Sequence, residues 1–157
     1  MNKSIITFII VAFVAMLQSC TQNNGHIGEW FGHWKVTSIT IDGTPDSDYE
    51  CNMFFSFQSK VFGQRIVDNL HGTEMRFANW DNRGDYFIIT FPYETDADGN
   101  PLYDEEGNLV CLYEPYPISH MSMGENIVYV DYINGNDLQL SMTDAEGAAI
   151  VYHLEKW

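Results

Sequence analysis

The sequence predicts an all-β protein, an antiparallel up-and-down β-barrel of about eight strands. Three observations support this fold class. Apolar residues alternate with polar ones along most of the chain, glycine-containing turns separate the alternating runs, and no stretch has a convincing helical stripe. The 157 residues suffice for one domain of ordinary size. Consecutive strands joined by tight turns pair antiparallel, and barrel closure removes the exposed sheet edges.

Eight runs have the composition and alternation of strands. In chain order they are Trp34–Ile41, Cys51–Phe57, Glu74–Trp80, Asp85–Pro92, Leu109–Tyr113, Asn126–Ile133, Leu138–Met142 and Ala148–Leu154. The segment Lys60–Leu70 comes nearest to a helix, but one glycine and three β-branched residues within it disfavour that conformation. We therefore expect no helix in the folded domain.

Turn signals stand between these runs. Asn134-Gly135 predicts a type I′ hairpin that joins the sixth run to the seventh. Asp144–Gly147 predicts the next tight hairpin, with Gly147 supplying a positive φ. Further corners are expected at Asp42-Gly43, His71-Gly72 and Asn82–Gly84.

Charge and composition exclude several classes of function. The chain carries 22 acidic and 7 basic side chains, a formal net charge of −15. Nucleic-acid recognition depends on clustered Lys and Arg, so a nucleic-acid partner is excluded. Electrostatic attachment to anionic lipid is excluded for the same reason. A chain that is 45% hydrophobic and 15% aromatic is expected to fold.

The first twenty residues predict export. After Lys3 the chain is apolar from Ile5 to Leu17 except for Thr7. At 1.5 Å per residue this run covers about two-thirds of a ~30 Å hydrocarbon core, which favours a signal peptide over a transmembrane helix. The sequence Leu17-Gln18-Ser19-Cys20 that follows resembles the lipobox of bacterial lipoproteins, and the alternative is an ordinary signal peptide followed by a chance cysteine.

The lipobox resemblance implies cleavage before Cys20 and lipidation of its thiol. We therefore expect a signal peptide over residues 1–19, the lipidated Cys20 and a polar tether over residues 20–28, and the barrel domain over residues 29–157. The protein would be held in the cell envelope by its lipid. Since no acidic residue directly follows Cys20, the periplasmic side is favoured over the cell surface.

Two cysteines remain beyond the anchor. Cys51 and Cys111 would lie in a compartment that permits disulfides, so a bridge between them is one interpretation. The other is two free thiols, because both stand in apolar strand-like runs where cysteine packs as a small hydrophobe. The sequence leaves both open.

The chain resembles the bacterial lipocalin-like (calycin-type) lipoproteins. Its first strand opens with Gly32-His33-Trp34, the Gly-x-Trp pattern of that family, and further likeness extends over Phe55–Gln58, Tyr86–Phe91, Tyr132–Leu140 and Val151–Leu154. The Thr-Asp-Tyr motif of the classical members is absent. No arginine follows Arg83 to pack over Trp34, and Lys156 is only a weak substitute. We expect Trp34 to plug the closed end of the barrel, with Gly32 letting backbone pass close by.

The interior of an eight-stranded barrel is either filled by side chains or holds one small ligand. The residues expected to line it are aromatic, aliphatic or sulfur-containing, and would suit a small apolar molecule: Phe55, Phe57, Phe77, Phe87, Ile89, Tyr129, Leu138, Leu140 and Met142. The same bulky groups could equally fill the core. Cavity volume distinguishes the two interpretations.

An acidic segment, Thr95–Leu109, interrupts the strand pattern. Asp96, Asp98 and Asn100 have oxygen-rich spacing that allows a weak calcium interpretation, although the EF-hand pattern is not matched. The glycines that follow favour turns in a long solvated excursion. If any loop gates the barrel mouth, we expect it to be this one.

No residue pattern indicates catalysis. The five histidines lack metal-binding spacing, and nucleophile or phosphate-binding motifs are absent from the sequence. We expect a protein that is not an enzyme and needs no cofactor or metal. The first hypothesis is a lipid-anchored envelope module that binds a small apolar molecule. The alternative is a structural or interaction lipoprotein with a filled barrel, whose rim loops contact a protein or glycan partner.

Overall fold

One antiparallel sheet makes up the folded domain. The computed structural model describes residues 28–67, 74–107 and 109–157. Over these ranges the strands are β1 Gly32–Ile41, β2 Thr44–Pro45, β3 Met53–Gln58, β4 Val61–Ile66, β5 Met75–Asn82, β6 Tyr86–Phe91, β7 Gly124–Asn134, β8 Asp137–Thr143 and β9 Ala149–Lys156. Apart from the two-residue β2, each strand pairs with the next, and β1 also pairs with β9. Eight strands therefore close into a barrel, which confirms the predicted fold class.

The barrel unit comprises Gly32–Trp157. The preceding unit is Met1–Phe31, of which only the last four residues are described, with one 3-10 turn at Gly28–Trp30. The predicted signal peptide, Cys20 and most of the tether lie outside the described residues. Within the described ranges, no helix is long and apolar enough to span a membrane.

The predicted and the observed barrel both have eight strands, but one predicted strand is absent from the barrel and one observed strand was not predicted. The helix-like segment contains β4, which pairs with both β3 and β5. Gly63 lies opposite Ser56 in β3, and a Cβ at this position would stand 2.5 Å from the Ser56 Oγ, so close strand packing accounts for the glycine. Leu109–Tyr113, predicted as a strand, makes only isolated bridges outside the barrel.

Two predicted hairpins are present. Asn134 pairs with Asp137, so Gly135 and Asn136 form the two-residue turn between β7 and β8. Between β8 and β9, the Asp144 carboxylate accepts backbone hydrogen bonds from Glu146 at 3.0 Å and from Ala148 at 2.8 Å. These bonds replace ladder bonds that the turn cannot make.

The connections differ in length at the two ends of the barrel. At the end where β1 begins, which we call the closed end, three turns of two or three residues join β3 to β4, β5 to β6 and β7 to β8. The other end, which we call the open end, carries residues 42–52 and 144–148, together with the described parts of the β4–β5 and β6–β7 connections, residues 67, 74, 92–107 and 109–123. Alternate connections of an up-and-down barrel share an end, so these longer segments surround one mouth.

Aromatic side chains fill the closed half of the interior. Phe57 has no accessible surface, and its ring centroid lies 5.3 Å from Phe62, 5.1 Å from Trp80 and 5.4 Å from Phe87. Trp34 is fully buried at the closed end, and the Lys156 Nζ lies 5.0 Å from its ring centroid. The weak substitute therefore occupies the position over this ring, where cation–π attraction adds to burial.

Replacing Phe57 with alanine tests the packed interior. The substitution Phe57→Ala removes a buried ring with three aromatic neighbours, and we expect the free energy of unfolding to fall by about 3–5 kcal/mol. The matched control is Phe77→Ala in β5, since Phe77 is 36% exposed and its loss should cost less than about 1 kcal/mol. Urea unfolding followed by fluorescence measures both. Equal losses would contradict this assignment of inside and outside.

Candidate functional site at the open end of the barrel

Seven of the nine predicted lining residues point into the barrel. Phe55, Phe57, Phe87, Ile89, Leu138, Leu140 and Met142 are all buried. The prediction is wrong for Phe77 and Tyr129, which are 36% and 53% exposed on the outer wall. Both strands carry large side chains on both faces, so hydrophobicity alone did not show which face is inside. Ala78 in β5 and Val128 in β7 are the inward neighbours.

The inward residues leave little room among themselves. Apart from Met142, which is 5% exposed, these seven have no accessible surface, so no water-sized space borders them. Phe55 also lies 5.1 Å from Phe62 and 5.5 Å from Tyr152, centroid to centroid. Contacts of this kind are typical of a close-packed interior. A ligand among these residues would require their displacement.

Among the described residues, one segment crosses the open end. Residues Tyr116–Met121, which we call the plug, include a 3-10 turn over Pro117–Ser119. Ser119 has no accessible surface and Met121 is 6% exposed. The turn ends at His120, whose φ of 56° is left-handed and redirects the chain toward β7. The open end is therefore covered by the plug, whose residues follow the acidic excursion in the chain.

Two buried polar side chains hold the plug from below. The Gln64 Oε1 in β4 accepts a hydrogen bond from the Tyr116 backbone N–H at 3.0 Å, and its Nε2 donates to the Met121 Sδ at 3.2 Å. The Tyr152 hydroxyl in β9 donates to the Ser119 carbonyl at 2.5 Å. Because buried polar groups are costly when unpaired, these bonds fix the plug over the interior.

Contacts of Arg76 and Asp46 hold the plug from its sides. Arg76 in β5 donates to the Glu114 carbonyl at 2.9 Å, and its guanidinium carbon lies 4.6 Å from the centroid of the Tyr116 ring. His120 Nε2 lies 3.2 Å from the Asp46 Oδ2 in the loop after β2. The plug is thus tied to β4, β5, β9 and one rim loop.

The acidic excursion does not cover the mouth, so the expectation that Thr95–Leu109 gates it is wrong. Residues 95–107 are exposed. Three segments of the excursion bond in a ring: Glu94 N–H donates to the Val110 carbonyl at 2.8 Å, Val110 to Leu102 at 2.9 Å, and Leu102 to Glu94 at 2.9 Å. The excursion is a compact projection from the rim.

The calcium interpretation is also wrong. The Asp96 Oδ1 accepts backbone hydrogen bonds from Asp98 at 2.9 Å and Asn100 at 2.8 Å, and both carboxylate oxygens contact the Asn100 amide. These bonds, led by the Asn100 side chain, lower the pKa of Asp96. Asp96 therefore closes a turn. In the part of the chain that the structure describes, no three acidic, histidine or cysteine side chains are grouped to hold a metal ion.

The two barrel-domain cysteines are free thiols, which corrects the disulfide interpretation. The Cys51 Sγ lies 3.2 Å from the Thr37 carbonyl, whereas the Cys111 Sγ lies 3.7 Å from the Leu109 carbonyl in the excursion. Each thiol has its own local backbone acceptor. Burial raises the pKa of Cys111, and the nearby Glu114 charge adds to this effect.

Solved structures share this architecture. A lipocalin-like protein from Bacteroides uniformis superimposes with a TM-score of 0.55 at 18% identity, over 83% of this chain and 100% of the other. The fold is lipocalin-like. An uncharacterized protein from Bacteroides eggerthii shares this lipocalin-like barrel, with a TM-score of 0.53 at 16% identity over 82% of this chain and 99% of that one. No protein-family model matches the chain, and neither does any curated protein.

Sequence reasoning missed the residues that hold the plug of this lipocalin-like barrel. The alternation of β9 did place Tyr152 on the same face as Ile150 and Leu154, which are both buried. Gln64 lay in the segment whose strand was not recognised. Pro115 and Pro117 disfavour regular structure in this segment, but no local pattern shows that it crosses the mouth.

The buried Tyr152 hydroxyl makes the stability of the folded protein depend on pH in the alkaline range. Burial raises the pKa of this hydroxyl far above its usual value near 10, and the charge of Asp144 adds to the shift. The unfolded chain loses this proton as the pH rises past about 10 while the folded chain keeps it, so the stabilisation is complete below pH ~10 and declines above it. Between pH 9 and 11, we expect the free energy of unfolding of Tyr152→Phe to decline by about 1 kcal/mol less than that of the parent protein.

Urea unfolding at several pH values measures this difference. The control is Tyr103→Phe, which makes the same chemical change at a side chain that is 62% exposed. An identical decline in the parent protein and in Tyr152→Phe would show that Tyr152 does not contribute to it.

Proposed function

We propose that this chain is a lipid-anchored protein of the bacterial cell envelope whose filled lipocalin-like barrel acts as a non-catalytic interaction module. Its open-end loops would contact a protein or glycan partner. The observation that carries this proposal is the interior itself: the positions suited to a small ligand are packed without accessible surface, and a hydrogen-bonded plug covers the mouth. Recognition is then left to the outer surface.

The acidic excursion offers the most prominent contact surface at the rim. Tyr103 is 62% exposed and Leu112 is 51% exposed, although most of their neighbours are acidic or polar. Exposed aromatic and aliphatic side chains among polar ones are typical of protein and glycan contact sites. The ring of backbone bonds supports both residues on an ordered projection, so a partner would meet a preformed surface.

The lipid on Cys20 would supply the membrane attachment in this proposal. Several acyl chains, as the lipobox resemblance implies, hold a protein firmly where one chain binds only marginally.

Binding of a small apolar molecule inside the barrel is the less favoured proposal. It would require the plug to leave and several rings to move, with loss of the contacts that Gln64 and Tyr152 make. The lipocalin-like fold is compatible with such a site, but the fold alone does not specify a ligand.

Replacing Cys20 tests the proposed lipid anchor and membrane localisation. In cells that express Cys20→Ser, we expect loss of lipid labelling and release of the protein from the membrane fraction, because the apolar anchor is absent. Cys51→Ser is the matched control, since it removes a cysteine of the barrel domain. Unchanged labelling and membrane fractionation of Cys20→Ser would overturn the lipoprotein assignment.

A pair of double variants tests the contact surface. In the Cys20→Ser protein, where no lipid contributes to sedimentation, Tyr103→Ala with Leu112→Ala should reduce cosedimentation with isolated envelope material by at least about tenfold, since two rim anchors are lost. The control pair is Ile127→Ala with Tyr129→Ala on the outer wall, where the side chains are similarly exposed at 50% and 53%. This control should bind as the parent does.

Two results would contradict the rim proposal. One is equal binding by the rim variant and the parent protein. The other is native mass spectrometry of the mature protein that shows one apolar molecule retained per chain, which would favour the interior site instead.

A further inference from the structure

A groove lies on the outer wall of the barrel and reaches Val67, the first residue after β4. It has a volume of about 350 Å³ and is lined by His33, Phe54, Arg65, Val67 and Trp157. These residues come from β1, β3, the end of β4 and the residue after β9. The volume falls within the range of small-molecule sites, and three of the five side chains are apolar.

The aromatic wall of the groove is held in place by the fold. Trp157 is 78% exposed, yet its backbone N–H donates to the His33 carbonyl at 2.9 Å. Its ring meets Phe54 in an edge-to-face arrangement, with centroids 5.3 Å apart and planes at 83°. An exposed indole that is fixed in this way presents a flat apolar surface at little cost in conformational entropy.

The groove also contains a cation without a carboxylate partner. In the register of the sheet, Phe54 lies between Lys35 of β1 and Arg65 of β4. The described residues supply no ion pair to either cation, although acids outnumber bases by 22 to 7 in the sequence. The Arg65 Nε is buried and lacks an acceptor among them. Glu155 is the register partner of Lys35, so Arg65 is the cation that a ligand in the groove would meet.

We propose that this groove binds a small amphipathic carboxylate, with the carboxylate on Arg65 and the apolar body against Trp157 and Phe54. A guanidinium matches a carboxylate in shape and charge through paired N–H donors. His33 stands at the edge of the groove as a further polar contact. The site contains neither Tyr103 nor Leu112, so it does not depend on the proposed rim function.

A charged probe and its neutral analogue test the groove. The probes are 2-naphthoate and 2-naphthamide, titrated into the mature protein by NMR and by calorimetry at low salt. We expect a Kd near ~1 mM for 2-naphthoate, as is usual for a ligand of this size. Arg65→Met keeps the apolar stem and removes the charge, so it should weaken naphthoate binding by at least about tenfold and leave the amide nearly unchanged.

Two further variants complete the design. Trp157→Ala should weaken both probes, because it removes the apolar wall that both use. Arg83→Met is the charge-matched control, since Arg83 lies at the β5–β6 turn and pairs with Asp81 at 2.7 Å. It should affect neither probe, and urea unfolding checks that each variant is folded.

The proposal is overturned if 2-naphthoate shows no saturation at about 10 mM, an order of magnitude beyond the expected Kd. It is also overturned if Arg65→Met binds naphthoate as the parent does, or if the shifted resonances map to the rim or the barrel interior. Loss of rim binding in the Tyr103 and Leu112 variants would leave all these results unchanged.

Discussion

The pairing of β1 with β9 closes the sheet, and the other features of the domain depend on this contact. It brings Trp34 of the first strand beside Lys156 of the last, so the closed end is completed by residues from both ends of the barrel unit. Closure also turns one face of every long strand toward a common axis. Aromatic side chains on several strands then meet in a single core, where each supports its neighbours.

The closed mouth follows from the same geometry. Aromatic rings fill the interior, but the polar backbone at the open end, where the connections are long, still needs cover. The plug covers that end. Gln64 and Tyr152 reach it from different strands, so the cover is held only when the barrel is closed. The interior and its cover therefore form one cooperative unit.

Much of the fold was predictable, because period-two alternation and turn residues act locally. Both late hairpins followed from these signals, whereas the buried position of Trp34 was expected from the resemblance of Gly32-His33-Trp34 to the Gly-x-Trp pattern. The missed strand shows the limit: Gly63 reads locally as a break, but it is required by the nearness of Ser56 on another strand. Phe77 and Tyr129 show a second limit, since strands with large side chains on both faces do not reveal which face is inside. The plug contacts join residues more than thirty positions apart, so no window of sequence contains them.

The ring of backbone bonds in the excursion has a further consequence. Glu94, Leu102 and Val110 each donate one bond and accept another, so at this level the projection has no unpaired strand edge. An exposed edge bearing apolar side chains is a template for aggregation with other chains. By bonding in a ring, the excursion can expose Tyr103 to solvent without offering such an edge at this level.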